Sequence, residues 1–152
     1  MKQTMQKMMS VLLSLLLLCI PIVYVNADPI IETDEDDIII CEYNNVIYAY
    51  AQAAVNNTGL LTINFGYDGY STTTHAKITT YIEKKVLGLF WTRVNISQPN
   101  NEWVDIIYNS SYVGFHTFQL SSSGQYRTTV IFEISGTAGP TDTVKYVRNL
   151  TY

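Results

Sequence analysis

From Val46 onward the chain alternates apolar and polar positions with a period of two. That is the pattern of strands that turn one face to a core and the other to water. The clearest stretch is HAKITTYIEKK, His75 to Lys85. Ala76, Ile78, Thr80 and Ile82 share one face; Lys77, Thr79, Tyr81 and Glu83 share the other. LFWTRVNIS, Leu89 to Ser97, repeats the pattern, with Phe90, Thr92, Val94 and Ile96 opposed to Leu89, Trp91, Arg93 and Asn95. Further strands are predicted at Val46 to Val55, in LLTINF from Leu60 to Phe65, near Tyr112 to Leu120, in QYRTTVIFEI from Gln125 to Ile134, and at Thr143 to Leu150. The YAQAAV segment of the first strand also reads as a short helix. Asn56-Asn57-Thr58-Gly59, Gly88, QPNNE (Gln98 to Glu102) and Gly136 to Asp142 are turn or loop signals. Gly66 to Thr74 reads as a loop because its two glycines relax the backbone.

The chain after the N-terminal region is rich in Tyr, Thr, Ile and Val, which favours strands over helices. With turn signals between short strands and no amphipathic helix, the expected fold is all-β. It is an immunoglobulin-like antiparallel β-sandwich of about seven strands. The first, second and fifth strands would form one sheet, and the seventh, sixth, third and fourth the other. One domain, residues 38–152, accounts for the length. In such sandwiches a tyrosine near the start of the sixth strand bonds back to upstream backbone. Tyr126, after Ser123-Gly124-Gln125, stands at that place. Tyr126, Thr128, Val130, Phe132 and Ile134 then face the core, and Arg127 faces out.

The N-terminus changes the compartment rather than the fold. Lys2 and Lys7 precede an apolar run from Val11 to Ile20, Pro21 ends it, and Val25-Asn26-Ala27 offers small residues before Asp28. This is the anatomy of a Sec-type signal peptide over residues 1–27, cleaved to give a secreted, extracellular chain. The alternatives are an uncleaved anchor over Met8 to Val25 and lipidation at Cys19, which follows Leu18 rather than a small residue. Asp28 to Asp37 carries six acids in ten residues, an acidic flexible lead-in. Its spacing does not follow a calcium loop. From Ile38 on, seven acids balance seven bases, so no basic patch for nucleic acid stands out. Cys41 is then the one cysteine of the processed chain, without an intramolecular partner, and is read as an inert buried thiol.

Candidate chemistry is sparse. No H-E-x-x-H, C-x-x-C or G-x-S-x-G occurs. No catalytic residue, metal ligand or cofactor is assigned, and the chain is expected not to be an enzyme. Ser121, His116 and Asp142 could meet as a triad only by chance of folding. An enzyme would place His116 in a pocket with an acid within hydrogen-bond reach. Glu102 and Asp105 flank Trp103, but three residues apart in a strand they lie on opposite faces, and the segment is expected to be a solvated loop. The candidate binding face is the outer surface of the second sheet, with Tyr81, Trp91, Arg93 and Arg127 at its centre and Lys77, Ile131 and Glu133 around them. Aromatic and arginine side chains there could stack on sugar rings or anchor a protein. The competing reading is that cross-strand pairs stabilise the sheet by themselves, or that a bulge near Gly88 turns Trp91 inward. The loops Gly66 to Thr74 and Gly136 to Asp142 are a second candidate. Asn-x-Ser/Thr sequons stand at Asn56, Asn95, Asn109 and Asn149.

YIEKKVLGLFWTRV, then Trp103, then SSSGQYRTTVIFEISGTAG resembles a family of small secreted β-sandwich proteins of Gram-positive bacteria, a domain of unknown function. Its pattern is roughly L-Q-K-x, G-x-W-x-x-V, W and G-x-Y-R, followed by an alternating strand and a glycine-containing loop. The likeness runs from about Val46 to the C-terminus. This chain has Ile82-Glu83 in place of Leu-Gln, and Phe90 before Trp91. The resemblance implies secretion and a sandwich, and it implies no site. The expected role is an extracellular binding or structural module whose partner is a protein or glycan, with no nucleic acid and no membrane contact after signal cleavage. The alternative is a secreted antagonist, a bacteriocin-like toxin or protein inhibitor.

Overall fold

A computed structural model describes residues 43–152. The signal peptide, the acidic lead-in and Cys41 lie outside the described residues. Eight strands follow in order: β1 (Val46–Val55), β2 (Leu60–Gly69), β3 (Thr73–Val86), β4 (Phe90–Arg93), β5 (Trp103–Ile107), β6 (Ser111–Gln119), β7 (Gln125–Gly136) and β8 (Asp142–Thr151). A single 3-10 turn, Pro99–Asn101, precedes β5. All pairings are antiparallel and build two sheets, β1-β2-β6 and β4-β3-β7-β8, with β5 also paired to β3. The chain is therefore an all-β sandwich, and the seven expected strands fall into the two expected sheets in the expected order.

Three expectations are corrected. First, Trp103–Ile107 is a strand and not a solvated loop. It pairs with Ala76–Thr80 of β3, while β4 pairs with Glu83–Val86 of the same edge. At 14 residues β3 is long enough to hold both, so there are eight strands rather than seven. Trp103, Asp105 and Ile107 are part-buried while Val104 and Ile106 are exposed, the alternation of an edge strand. Second, β2 runs on through Gly69, so the candidate loop Gly66 to Thr74 shrinks to Tyr70-Ser71-Thr72. Gly66 is there for close approach and not for a turn: a Cβ would lie 2.7 Å from both the Tyr112 carbonyl and the Tyr50 ring. Third, β4 has only four residues. Beyond it Val94 N–H still donates to Ile82 O at 2.9 Å. Ile96 then drops into the core, whereas Phe90, placed on the same face by alternation, is 64% exposed.

The inner faces meet in one core. Leu61, Ile63, Phe65 and Tyr67 of β2 lie against Ile78, Ile82, Val130, Phe132 and Ile134 of β3 and β7, all buried. Phe132 sits at the centre, edge-on to Phe65, Tyr67 and Tyr146. The sheets are also tied along both open sides. On one side the Asp142 carboxylate of β8 accepts backbone N–H bonds from Asn44, Asn45 and Val46 at 3.2, 2.6 and 3.1 Å, and Tyr146 Oη donates to the Ala49 carbonyl of β1. On the other side His116 of β6 meets Asp105 and Trp103 of β5. Tyr67 Oη donates to Asn109 O at 2.6 Å, and burial raises its pKa, which keeps the hydroxyl a donor. Tyr126 is buried and its hydroxyl donates to Ser122 O, four residues upstream, at 2.6 Å. That is the back-bond expected of it.

Candidate functional site

Tyr81, Trp91, Arg93 and Arg127 all project from the outer face of the five-stranded sheet. The register brings them there: Glu83 pairs with Arg93 and Arg127 on its two sides, and Lys85 pairs with Trp91. The β3–β4 loop spans three residues between Val86 and Phe90. It does not rotate Trp91 inward, so that alternative is overturned.

On this face the cations are already engaged. Arg127 donates through Nε and Nη2 to one Glu83 oxygen, both at 2.8 Å, and its guanidinium lies 4.6 Å from the Trp91 ring centre. Arg93 sits 3.3 Å above the Tyr81 ring centre and reaches Glu102 at 3.2 Å. Lys85 Nζ lies 5.6 Å from the Trp91 ring centre. Further along, Lys77 and Glu133 form a 2.6 Å ion pair, and that bond raises the lysine's pKa. Arg127 and Glu83 are each less than a third exposed, so the pair is worth more than a median surface bridge. Stacked cations hold the two aromatic rings in fixed orientations. The face is thus a rigid, pre-set surface of rings and satisfied charges.

Beside Trp91 the surface opens into a depression of about 320 Å³. Lys85, Trp91, Gln125, Asn149 and Thr151 supply its outward side chains, with Tyr126 and Leu150 beneath. The register explains the gathering. Arg127 pairs with Asn149 and Gln125 with Thr151, so alternate residues of β7 and β8 reach the same rim. An indole edge, two amides, a hydroxyl and an ammonium offer donors and acceptors around an apolar surface. Sequence reasoning found Trp91 but missed Lys85, Gln125, Asn149 and Thr151. Their signal was the alternation of β3, β7 and β8 read on the polar side.

Two other constellations resolve. Ser121, His116 and Asp142 do not meet, because Asp142 is committed to the β1 amides and His116 Nε2 lies 2.9 Å from Asp105 Oδ2. An acid does stand within hydrogen-bond reach of His116, as the enzyme reading required, and sequence reasoning had not paired them. The imidazole, however, is filled in on its faces. Trp103 stacks on it at 4.8 Å and 13°, and Phe65 contacts it at 5.1 Å. Glu102 and Asp105 do point to opposite faces, toward Arg93 and His116 respectively. Among the described residues no three His, Cys, Asp or Glu side chains converge as a metal site. Of the sequons, Asn56 organises its own turn by accepting from Thr58 and Leu60, and Asn95 does the same for Ser97. Comparison with protein-family models and with curated proteins gives no match to this chain.

Proposed function

We propose that this chain is a secreted, non-enzymatic binding module: an immunoglobulin-like sandwich whose outer β4-β3-β7-β8 face takes an extracellular glycan. The observation that carries this is the depression beside Trp91, lined by Lys85, Gln125, Asn149 and Thr151. Sugar rings present an apolar face and a rim of hydroxyls, and this surface offers an aromatic side chain with amide, hydroxyl and ammonium groups around it. The Arg127–Glu83 pair holds Trp91 from behind, so little side-chain entropy is lost on binding. The N-terminal signal anatomy and the likeness to small secreted Gram-positive sandwich proteins point to the same compartment.

The test is a glycan screen with the chain from Asp28, followed by calorimetry on the best ligand. Asn149 is exposed, so Asn149→Ala leaves the sandwich intact. It is expected to weaken binding by several-fold, and Trp91→Ala with Arg127→Ala to abolish it. Equal affinity in all three proteins, or no glycan bound at millimolar concentration, removes the proposal.

A further inference from the structure

The β3–β4 hairpin ends in VLGLF, and none of these side chains is buried. Val86 is 42% exposed, Leu87 85%, Leu89 72% and Phe90 64%. The last β3–β7 pair is Lys84 with Tyr126, so the residues from Lys85 to Leu89 run on past the β7 ladder. A Cβ added at Gly88 would meet nothing within 4 Å. The tip therefore stands clear of the rest of the molecule.

Its backbone is costly as well. Leu89 N–H donates to Val86 O at 3.1 Å, and both central residues of that turn have positive φ, 54° at Leu87 and 69° at Gly88. Such a turn favours Asn-Gly, because a branched side chain in the left-handed region crowds the backbone. The chain holds leucine in that region and gains no intramolecular contact for its side chain. Local strain with no local return is a mark of a functional position.

The charge around the tip is one-sided. Lys84 and Lys85 precede it on opposite faces of β3; Lys84 reaches Ser122 Oγ at 2.6 Å and Lys85 lies by the Trp91 ring. Neither forms an ion pair among the described residues, whereas Glu83 and Glu102 are neutralised by Arg127 and Arg93. We infer that this hairpin is a membrane-docking wedge: Leu87, Leu89 and Phe90 enter the headgroup–acyl boundary of an anionic bilayer, and Lys84 and Lys85 meet its phosphates. A convex tip of five residues is too small for a stable protein interface, which needs roughly 800 Å² on each partner. A lipid surface needs no matching groove, and apolar side chains with a basic collar are what binds it. This site adjoins the glycan face and shares Lys85 with it, but Leu87, Leu89 and Phe90 do not line the depression, so the leucine variants test the wedge without testing glycan binding.

The test uses the chain from Asp28, which carries both sheets and the whole core and lacks the apolar leader. Flotation with phosphatidylglycerol-containing vesicles is compared with phosphatidylcholine vesicles, alongside melting curves and sedimentation equilibrium. The wild-type protein is expected to float with the anionic vesicles and to be released by high salt. Leu87→Asn with Leu89→Ser should lose at least tenfold in partitioning, while Leu87→Asn alone keeps or raises the melting temperature. Lys84→Gln with Lys85→Gln should lose roughly fivefold per lysine on anionic vesicles and nothing on neutral ones. No flotation of the wild type, or equal flotation of the leucine variant, overturns the inference. So does a vesicle-free dimer that Leu87→Asn dissociates, since the tip would then be covered by a second copy.

Discussion

Two buried side chains fix opposite ends of the sandwich, and each does so through backbone partners. Tyr126 ties the start of β7 to the Ser122 carbonyl. Its removal as a donor in Tyr126→Phe leaves the ring's packing in place, so the loss should be about one hydrogen bond, ~1 kcal/mol, read as a lower melting temperature. An unchanged melting curve would mean that the bond contributes nothing to the corner. Asp142 is the more demanding case, because one carboxylate serves three backbone amides at the start of β1. Asp142→Ala strands those donors where water is scarce and should cost about 3 kcal/mol or more in denaturant titration. Asp142→Asn keeps one acceptor oxygen and should fall between. Tyr126 was readable in the sequence because a corner tyrosine has a fixed neighbourhood, Ser-x-Gly-x-Tyr before an alternating strand. Asp142 was not, since its partners lie almost a hundred residues upstream.

At the level of elements, what was legible followed from clean alternation. β3 and β7 read correctly over most of their length, because Ala76, Ile78, Ile82, Tyr126, Val130, Phe132 and Ile134 are inward while Lys77, Glu83, Arg127 and Glu133 are outward. β5 was hidden because its inward middle residue is Asp105, which looks like a loop residue until His116 is seen to meet it. This latch predicts that Trp103→Ala, which removes the ring stacked on His116, will destabilise by about 3 kcal/mol and raise hydrogen exchange in β5 and β6 before it does so in β7. A uniform effect across the sheets would argue against a local latch. The β3–β4 hairpin failed in the other direction. Alternation put Phe90 on one face with Val94 and Ile96 after a turn at Gly88, yet register carries the hairpin beyond the end of β7 and leaves Phe90 exposed. Leu87→Asn tests the turn itself: relief of the left-handed leucine should raise stability by about 1 kcal/mol.

For the whole molecule, the described residues contain no cysteine, so core packing and the two latched sides hold the sheets together. The unfolding transition should therefore be cooperative and the same with or without reductant; a reductant-dependent midpoint would point to a covalent contribution from outside the sandwich. Hydrogen exchange should be slowest in β2, β3 and β7, which are paired on both edges, and fastest in the four-residue β4. The two proposed surfaces lie near each other, with Trp91 and Lys85 between them. A molecule whose hairpin rests on a bilayer would hold the depression close to that surface.

Alternation and turn chemistry determined that this chain forms strands and where seven of them lie, while their division between two sheets rested on the expected sandwich topology. Strand positions are properties of near neighbours along the chain, where a period of two records which side is buried. The eighth strand, the fate of the glycines, the Asp105–His116 pair and the exposure of the hairpin tip were decided by tertiary structure. Each depends on which residues of distant strands come into register, and register is settled by the packing of the whole core rather than by any one segment.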